Sequence, residues 1–123
     1  MAAVNSHEFD LPWPPSANRY WRRVGTRTLI SREGREYRKR VVALLASHTA
    51  EPLSGRVAVT VTAYPPDRRR RDLDNMLKAL LDALAYGGVY DDDGQIDDLR
   101  VIRGAMVKGG AMRVAVALID PDE

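Results

Sequence analysis

Val57, Val59 and Val61 alternate with Ala58, Thr60 and Thr62 in the run Arg56–Tyr64, and Pro65-Pro66 cuts that run off. Successive side chains of a strand point to opposite faces. The pattern therefore dictates a strand with one β-branched, buried face and one face of small or polar residues. Proline lacks the N–H that a ladder needs, so pairing stops there. An apolar pattern of another period follows: Leu77, Leu80, Leu81 and Leu84 recur at i, i+3, i+4 and i+7, and Gly87-Gly88 ends the run. That is one face of a helix, for which Asp74 is the candidate N-cap. A strand handing over to a helix through an arginine- and aspartate-rich link is the frame for everything else.

The remaining segments add to this frame. Phe9 to Pro15 (FDLPWPP) reads as a short strand running into a stiff, extended loop, and Thr28 to Ile30 as another short strand. Ser31 is a good N-cap for a helix over residues 32–48, with Tyr37, Val41, Leu44, Leu45 and His48 at helical spacing. Glu51 to Gly55 is a turn. Leu99–Val107, Lys108-Gly109-Gly110 and Ala111–Ile119 read as a closing β-hairpin, with Met112, Val114, Val116 and Leu118 pointing inward. The order strand, helix, strand, helix, hairpin predicts a single two-layer α+β domain, a mixed β-sheet with two main helices. It is expected to span residues 1–123, with 1–8 and 120–123 frayed.

Composition excludes several classes. A chain of 123 residues has room for one core, and 45% apolar with 29% charged residues is ordinary for a folded protein. No apolar run approaches the roughly 20 residues that span a bilayer, and residues 1–10 lack the layout of a signal peptide. No membrane partner is expected. The absence of cysteine rules out disulfides and zinc-thiolate sites, and fits a reducing cytoplasm. His7 and His48 carry no ligand spacing.

Net charge is only +2, but its distribution is uneven. Residues 19–40 hold nine Lys/Arg against two Glu, Arg68 to Arg71 are consecutive, and residues 91–98 hold five Asp and no base. A basic surface beside a compact acidic cluster suits phosphate contacts around a metal-holding site; a solvated charged surface is the alternative. Asp72 and Asp74 lie where strand passes to helix. Two unit charges about 4 Å apart repel by roughly 4 kcal/mol at an effective dielectric near 20. Either these aspartates point apart or a cation holds them together, with a third drawn from Asp91–Asp93. Oxygen donors without His or Cys select Mg²⁺ or Mn²⁺ over zinc. Lys78, one turn beyond Asp74, is either half of a surface ion pair or a cation stabilising charge on phosphorus oxygens. Arg69 and Arg71 share one side of the extended segment with Asp67. The candidate DNA contacts are Arg19, Arg22, Arg23, Arg69 and Arg71.

Two other metal readings fail on the residues. Placing Gly94 at position six of an EF-hand loop puts Val89 at one and Arg100 at twelve, where acids are required. A sugar-nucleotide transferase would need a Gly-rich phosphate loop that this short chain lacks. A DNA-binding protein without catalysis would keep the arginines and dispense with the carboxylates, and here both are present.

The run Pro66–Asn75 (PDRRRRDLDN), then Lys78, Asp82-Ala83-Leu84 and Asp92-Asp93-Gly94-Gln95, resembles the RusA family of Holliday junction resolvases. So do Leu11–Tyr20 (LPWPPSANRY) near the start and Lys108-Gly109-Gly110 before the last strand. The resemblance covers nearly the whole chain. It implies a Mg²⁺-dependent endonuclease of mixed α/β fold, often encoded by phages and prophages, that nicks four-way DNA junctions symmetrically as a homodimer during recombination and repair. Carried over by motif, the catalytic carboxylates fall on Asp72, Asp74 and Asp93, the lysine on Lys78 and a DNA contact on Arg71. The chain departs from the pattern in the extra Asp91 after Val89-Tyr90 and in Gly94, where alanine is common. Register from Gln95 selects Asp93.

Overall fold

The computed structural model of the chain describes residues 5–48 and 51–120. In chain order the elements are β1 (Ser6–Leu11), α1 (Ala17–Tyr20), β2 (Trp21–Val24), β3 (Arg27–Ile30), α2 (Arg32–Leu45), β4 (Val57–Tyr64), α3 (Leu77–Tyr86), β5 (Ile96–Arg103) and β6 (Ala111–Leu118). Short 3-10 turns occupy Leu73–Met76 and Asp93–Gln95. Four strands form one mixed sheet in the order β1-β6-β4-β5, and β2 and β3 form a separate hairpin. Helices and strands thus share one α+β architecture, as the alternating periods predict.

The core follows from the alternation. Val57, Val59 and Val61 of β4 and Val114 and Val116 of β6 have no exposed surface, and Phe9 and Leu11 extend the same face through β1. Tyr37, Val41 and Leu45 of α2 and Ala79, Leu80, Ala83 and Leu84 of α3 close over that face. Burying a side chain of this size contributes about 1.5–3 kcal/mol, so this one cluster is the main source of stability. Ser31 caps α2, its Oγ accepting from Gly34 N at 3.0 Å. The helix ends at Leu45, short of the expected residue 48, and Leu44 is 45% exposed. Leu44 sits about 100° from Leu45 around the helix, off the stripe that faces the sheet. His48 is also exposed.

Two expectations are corrected. Residues 6–8, expected to fray, pair with Val116–Ala117 and Ala115 of β6; residues 1–4 and 121–123 lie outside the described residues. The closing hairpin does not form. β5 runs parallel to β4 and β6 antiparallel to it on the other side, so β4 separates the two strands. A parallel partner needs a crossover, and α3 supplies it. The strand also ends early, at Arg103: Gly104 N donates to Ala63 O and Val107 N to Pro65 O, so the link passes the end of β4 before turning back. Alternation reveals that strands exist. It does not reveal which neighbour each one pairs with.

Candidate active site

Beyond β4 the chain is tied down by its own charges. Asp67 accepts from Arg71 through both oxygens, at 2.6 and 3.1 Å, and from Arg69 N at 2.9 Å. The Arg71 guanidinium, with help from the Arg69 amide, pulls the Asp67 carboxyl down to about 2. Arg71 Nη1 also donates to Arg69 O at 3.3 Å, and its guanidinium lies 5.7 Å from the centre of the Trp13 ring. Arg103 of β5 donates to Arg71 O at 2.8 Å, fixing the segment to the sheet edge. Three of the five N–H donors of Arg71 are committed in these bonds, leaving two for an anion. Arg69 and Arg71 share the side of Asp67 as expected, though a bend at residues 66–69 brings them there.

Two open clefts meet over this segment. One, about 330 Å³, is lined by Trp13, Pro66 and the arginines Arg19, Arg69, Arg70 and Arg71. The other, about 420 Å³, shares Trp13, Ser16, Arg70 and Arg71 with it and adds Asp72, Asn75 and Met76. The fold thus collects three of the expected DNA contacts, Arg19, Arg69 and Arg71, beside one expected carboxylate. Arg22 and Arg23 stand apart on exposed β2, where their neighbouring positions point to opposite faces.

The helix start differs from expectation. Asp74 lies inside the 3-10 turn Leu73–Met76 and makes no capping bond; neither does Asp72, which holds the N-cap position with extended backbone. α3 begins only at Leu77, after Met76, again without a side-chain cap. Both carboxylates are exposed and unspent on capping, which leaves them available to a ligand.

The second acidic segment is built around Gln95. Its Oε1 accepts from Asp91 N at 2.8 Å and Asp92 N at 2.9 Å, while its Nε2 donates to Leu53 O and Gly55 O at 3.0 and 2.8 Å. Asp92 caps the turn Asp93–Gln95 in a reciprocal capping box. That separates the roles of the three aspartates: Asp91 is exposed, Asp92 is engaged with the turn, and Asp93 is half-buried beside Lys78 and Asp82. Burial raises the Asp93 carboxyl above its ordinary value, Asp92 and Asp82 push the same way, and Lys78 opposes them. The buried Tyr90, whose hydroxyl donates to Leu81 O at 2.9 Å, feels Asp93, Asp82 and Asp92 together and is shifted upward, burial being the largest cause.

Lys78 pairs with Asp82 (3.4 Å) rather than with Asp74. The structure therefore groups Asp82, Asp92 and Asp93 around Tyr90, with Lys78 paired to Asp82 and near Asp93, and sets Asp72 in the arginine-lined cleft. Among the described residues, no three acidic or histidine side chains converge closely enough to hold an ion as they stand.

Residues 12–119 match the family model described as Endodeoxyribonuclease RusA. The chain belongs to the RusA family. A protein of Enterobacteria phage HK97 named crossover junction endodeoxyribonuclease rusA is 44% identical over 118 residues, covering 95% of this chain and 98% of the relative. The proteins named crossover junction endodeoxyribonuclease RusA from Shigella sonnei and Escherichia coli K12 are 41% and 40% identical, over 92% of this chain and 95% of theirs. The family match takes in every arginine, carboxylate and lysine named above, and membership places the chain among endodeoxyribonucleases.

The sequence gives no sign of Arg103, and marks Trp13, Tyr20 and Asp82 only as motif positions without a role. Tyr20 and Asp82 are bonded across a sequence separation of 62 residues, which no local periodicity encodes. Trp13 stood within the opening motif, but nothing local marked it as a cleft wall.

Proposed function

We propose that the chain is a Holliday junction resolvase, a divalent-metal-dependent endonuclease that nicks four-way DNA junctions in pairs during recombination and repair in the cytoplasm. The observation that carries the reading is the arginine-lined cleft opening directly onto Asp72, in a chain whose 40–44% identical relatives are named for junction cleavage. Arg19, Arg69 and Arg71 grip phosphates, and Arg71 is preorganised for this by its Asp67 clamp. Lys78 approaches the scissile phosphate as a cation, balancing negative charge on the non-bridging oxygens.

The donor chemistry suits Mg²⁺, with Mn²⁺ as a substitute: carboxylates only, not converged as they stand, with Asp93 raised by burial and by neighbouring acids, a surplus of negative charge that a cation drawing them together would relieve. Asp72, Asp74 and Asp93 are the residues that would hold it. Bound there, the ion would supply an activated water and stabilise the leaving oxygen.

A metal titration checks this assignment. Without metal, the folded chain holds a proton on Asp93 more tightly than the unfolded chain does, so Asp93 adds stability as pH falls toward its ordinary value of 3.8. As pH rises past the folded value that contribution is lost, and the unrelieved charge remains. Millimolar Mg²⁺ should therefore raise the melting temperature at neutral pH and do so less under mildly acidic conditions. Equal melting curves with and without Mg²⁺ at neutral pH would count against the site. For the arginines, Arg71→Ala should weaken junction binding and flatten its salt dependence by about 0.9 in log K per log salt for each phosphate no longer neutralised. An unchanged slope would remove Arg71 from the interface.

Two incisions in opposed strands require two sites, so the functional unit is a homodimer. β5 is an edge strand, and Leu99 (41%), Ile102 (51%), Met106 (52%) and Val107 (41%) are exposed along it and its continuation. Antiparallel pairing of two copies about Leu99 would set Asp98 of each opposite Arg100 of the other, replacing a stretched 3.4 Å pair within the strand. Sedimentation at micromolar protein should report about twice 13.7 kDa; a monomer mass persisting on junction DNA would overturn the pairing.

The function itself is tested by incubating the protein with a synthetic four-way junction and with a linear duplex of the same arms. Mg²⁺-dependent nicks confined to the junction are expected. Binding without any incision in Mg²⁺ or Mn²⁺ would overturn the enzyme.

A further inference from the structure

Asp82 has no part in the chemistry described so far, yet three elements converge on it. Its Oδ1 lies 3.4 Å from Lys78 Nζ, one turn away on α3. Its Oδ2 accepts from Tyr20 OH at 2.8 Å. Tyr20, at the end of α1, is 1% exposed, and its hydroxyl in turn accepts from Arg38 Nη2 of α2 at 3.2 Å. Tyr20 is clamped further: its carbonyl accepts from Ser31 N at 2.8 Å, and a Cβ on Gly34 of α2 would come within 2.9 Å of its ring. Arg38 is fixed too, stacked 3.6 Å over the Tyr86 ring.

An ordinary helix-surface Lys–Asp pair joins two mobile side chains and holds neither. Here the carboxylate is only 19% exposed while the lysine is 46% exposed. One partner is anchored, and the other stands near enough to Asp93 for its charge to be felt there. The ammonium also stands 5.9 Å from the Trp21 ring, and that ring packs edge-on against Tyr20 at 4.9 Å. The same tyrosine therefore supports both neighbours of the lysine. Burial, and then the bond to Asp82, push the Tyr20 hydroxyl up to about 12, so it remains a donor throughout the working range.

We infer that Asp82, locked in place by Tyr20 and Arg38, is a positioning residue that aims the Lys78 ammonium at the scissile phosphate. The inference rests on the proposed catalytic role of Lys78. A lysine stem has many rotamers, and a tethered partner selects the few that reach the substrate. Supporting groups of this kind commonly govern activity by 10–100-fold, roughly, without touching the reacting atoms.

The test measures single-turnover cleavage of a saturating synthetic four-way junction, with affinity measured separately in the absence of divalent metal. Asp82→Asn keeps the shape and still accepts from Tyr20 but loses the charge that holds Lys78. Its cleavage rate should fall about 10–100-fold, with junction affinity equal or tighter and an unchanged Mg²⁺ concentration for half-maximal rate. Tyr20→Phe, which keeps the packed ring and frees Asp82, should lower the rate less, in the same direction. Once Lys78 is replaced by Met, adding Asp82→Asn should cost nothing further, because a group acting through the lysine has nothing left to act on. A wild-type rate for Asp82→Asn overturns the inference. So does a loss that multiplies undiminished in the Lys78→Met background, which would mark a purely structural role. A raised Mg²⁺ requirement overturns it in favour of a metal ligand. If Lys78→Met alone cleaves at the wild-type rate, the catalytic reading of Lys78 falls first, a result separable from all of these.

Discussion

Asp74→Asn is expected to lower junction cleavage by roughly 10³-fold, the scale seen when one charge-stabilising group is removed from a preorganised site. Asparagine preserves the size of the side chain. Asp74 makes no capping bond in its 3-10 turn and is exposed, so the substitution leaves the fold nothing to lose. Exposed changes of this kind stay within about 0.5 kcal/mol. The loss should therefore appear in the cleavage rate alone, with melting temperature unchanged and junction binding equal or tighter, since one negative charge facing DNA has gone. Asparagine caps a helix about as well as aspartate, so Asp74→Ala is the variant that tests capping: a cap would lose about 1 kcal/mol there. Rate measured on Asp74→Asn and stability measured on Asp74→Ala separate the two roles. A wild-type rate in Mg²⁺ would remove Asp74 from the site.

The second large effect is expected at Gly110, where fold and site meet. Its φ of +74° is a backbone region that side chains rarely enter, and an added Cβ would lie 2.9 Å from Trp13 Cβ and 3.0 Å from its Cγ. Gly109 has a similar φ of +80° but open space around it. Left-handed backbone costs a non-glycine residue about 1–2 kcal/mol, and forcing atoms into a packed contact costs about 1–3 kcal/mol more. Gly109→Ala should thus destabilise by about 1–2 kcal/mol and Gly110→Ala by about 2–5 kcal/mol. Only the second should weaken junction binding, because it displaces the indole that walls both clefts and underlies Arg71. Denaturant melts and junction titrations of the two variants decide it. Equal losses from both would show that the contact with Trp13 is relaxed away.

Much of the core was legible in the sequence because periodicity reports burial directly. The alternation of Val57, Val59 and Val61, and that of Met112, Val114 and Val116, placed the inward faces correctly. The leucines of α3 gave the helix and its end at Gly87, though Leu77 and Leu81 lie at the margin of its buried face. What failed was pairing. β5 and β6 adjoin in sequence, but β4 carries a fully buried face and takes a strand on each side, so the apparent hairpin opened around it. The helix start failed for a related reason: aspartate before a leucine stripe reads as a cap, while the chain tightens into a 3-10 turn first.

The site was legible as composition and as motif, and less so as geometry. Arg69, Arg71 and Asp67 do share one side, though a bend at residues 66–69 and the bonds to Asp67 bring them there instead of extended spacing, and the fold adds Arg19 to them. Gln95 served as the register mark for the acidic run, and the structure shows its side chain accepting from Asp91 N and Asp92 N, which shapes that turn. The support behind Lys78 was invisible, since it joins α1, α2 and α3 through Tyr20, Arg38 and Asp82.

The central claim is paired incision, and a supercoiled plasmid carrying an extruded cruciform tests it most directly. The first nick releases the supercoiling that sustains the cruciform, so a second cut follows only if the partner site is already seated on the opposed strand. Incubated with the protein and Mg²⁺, the plasmid is predicted to pass to linear molecules, with both incisions at symmetric positions across the junction. Accumulation of nicked circles that never become linear would contradict the account.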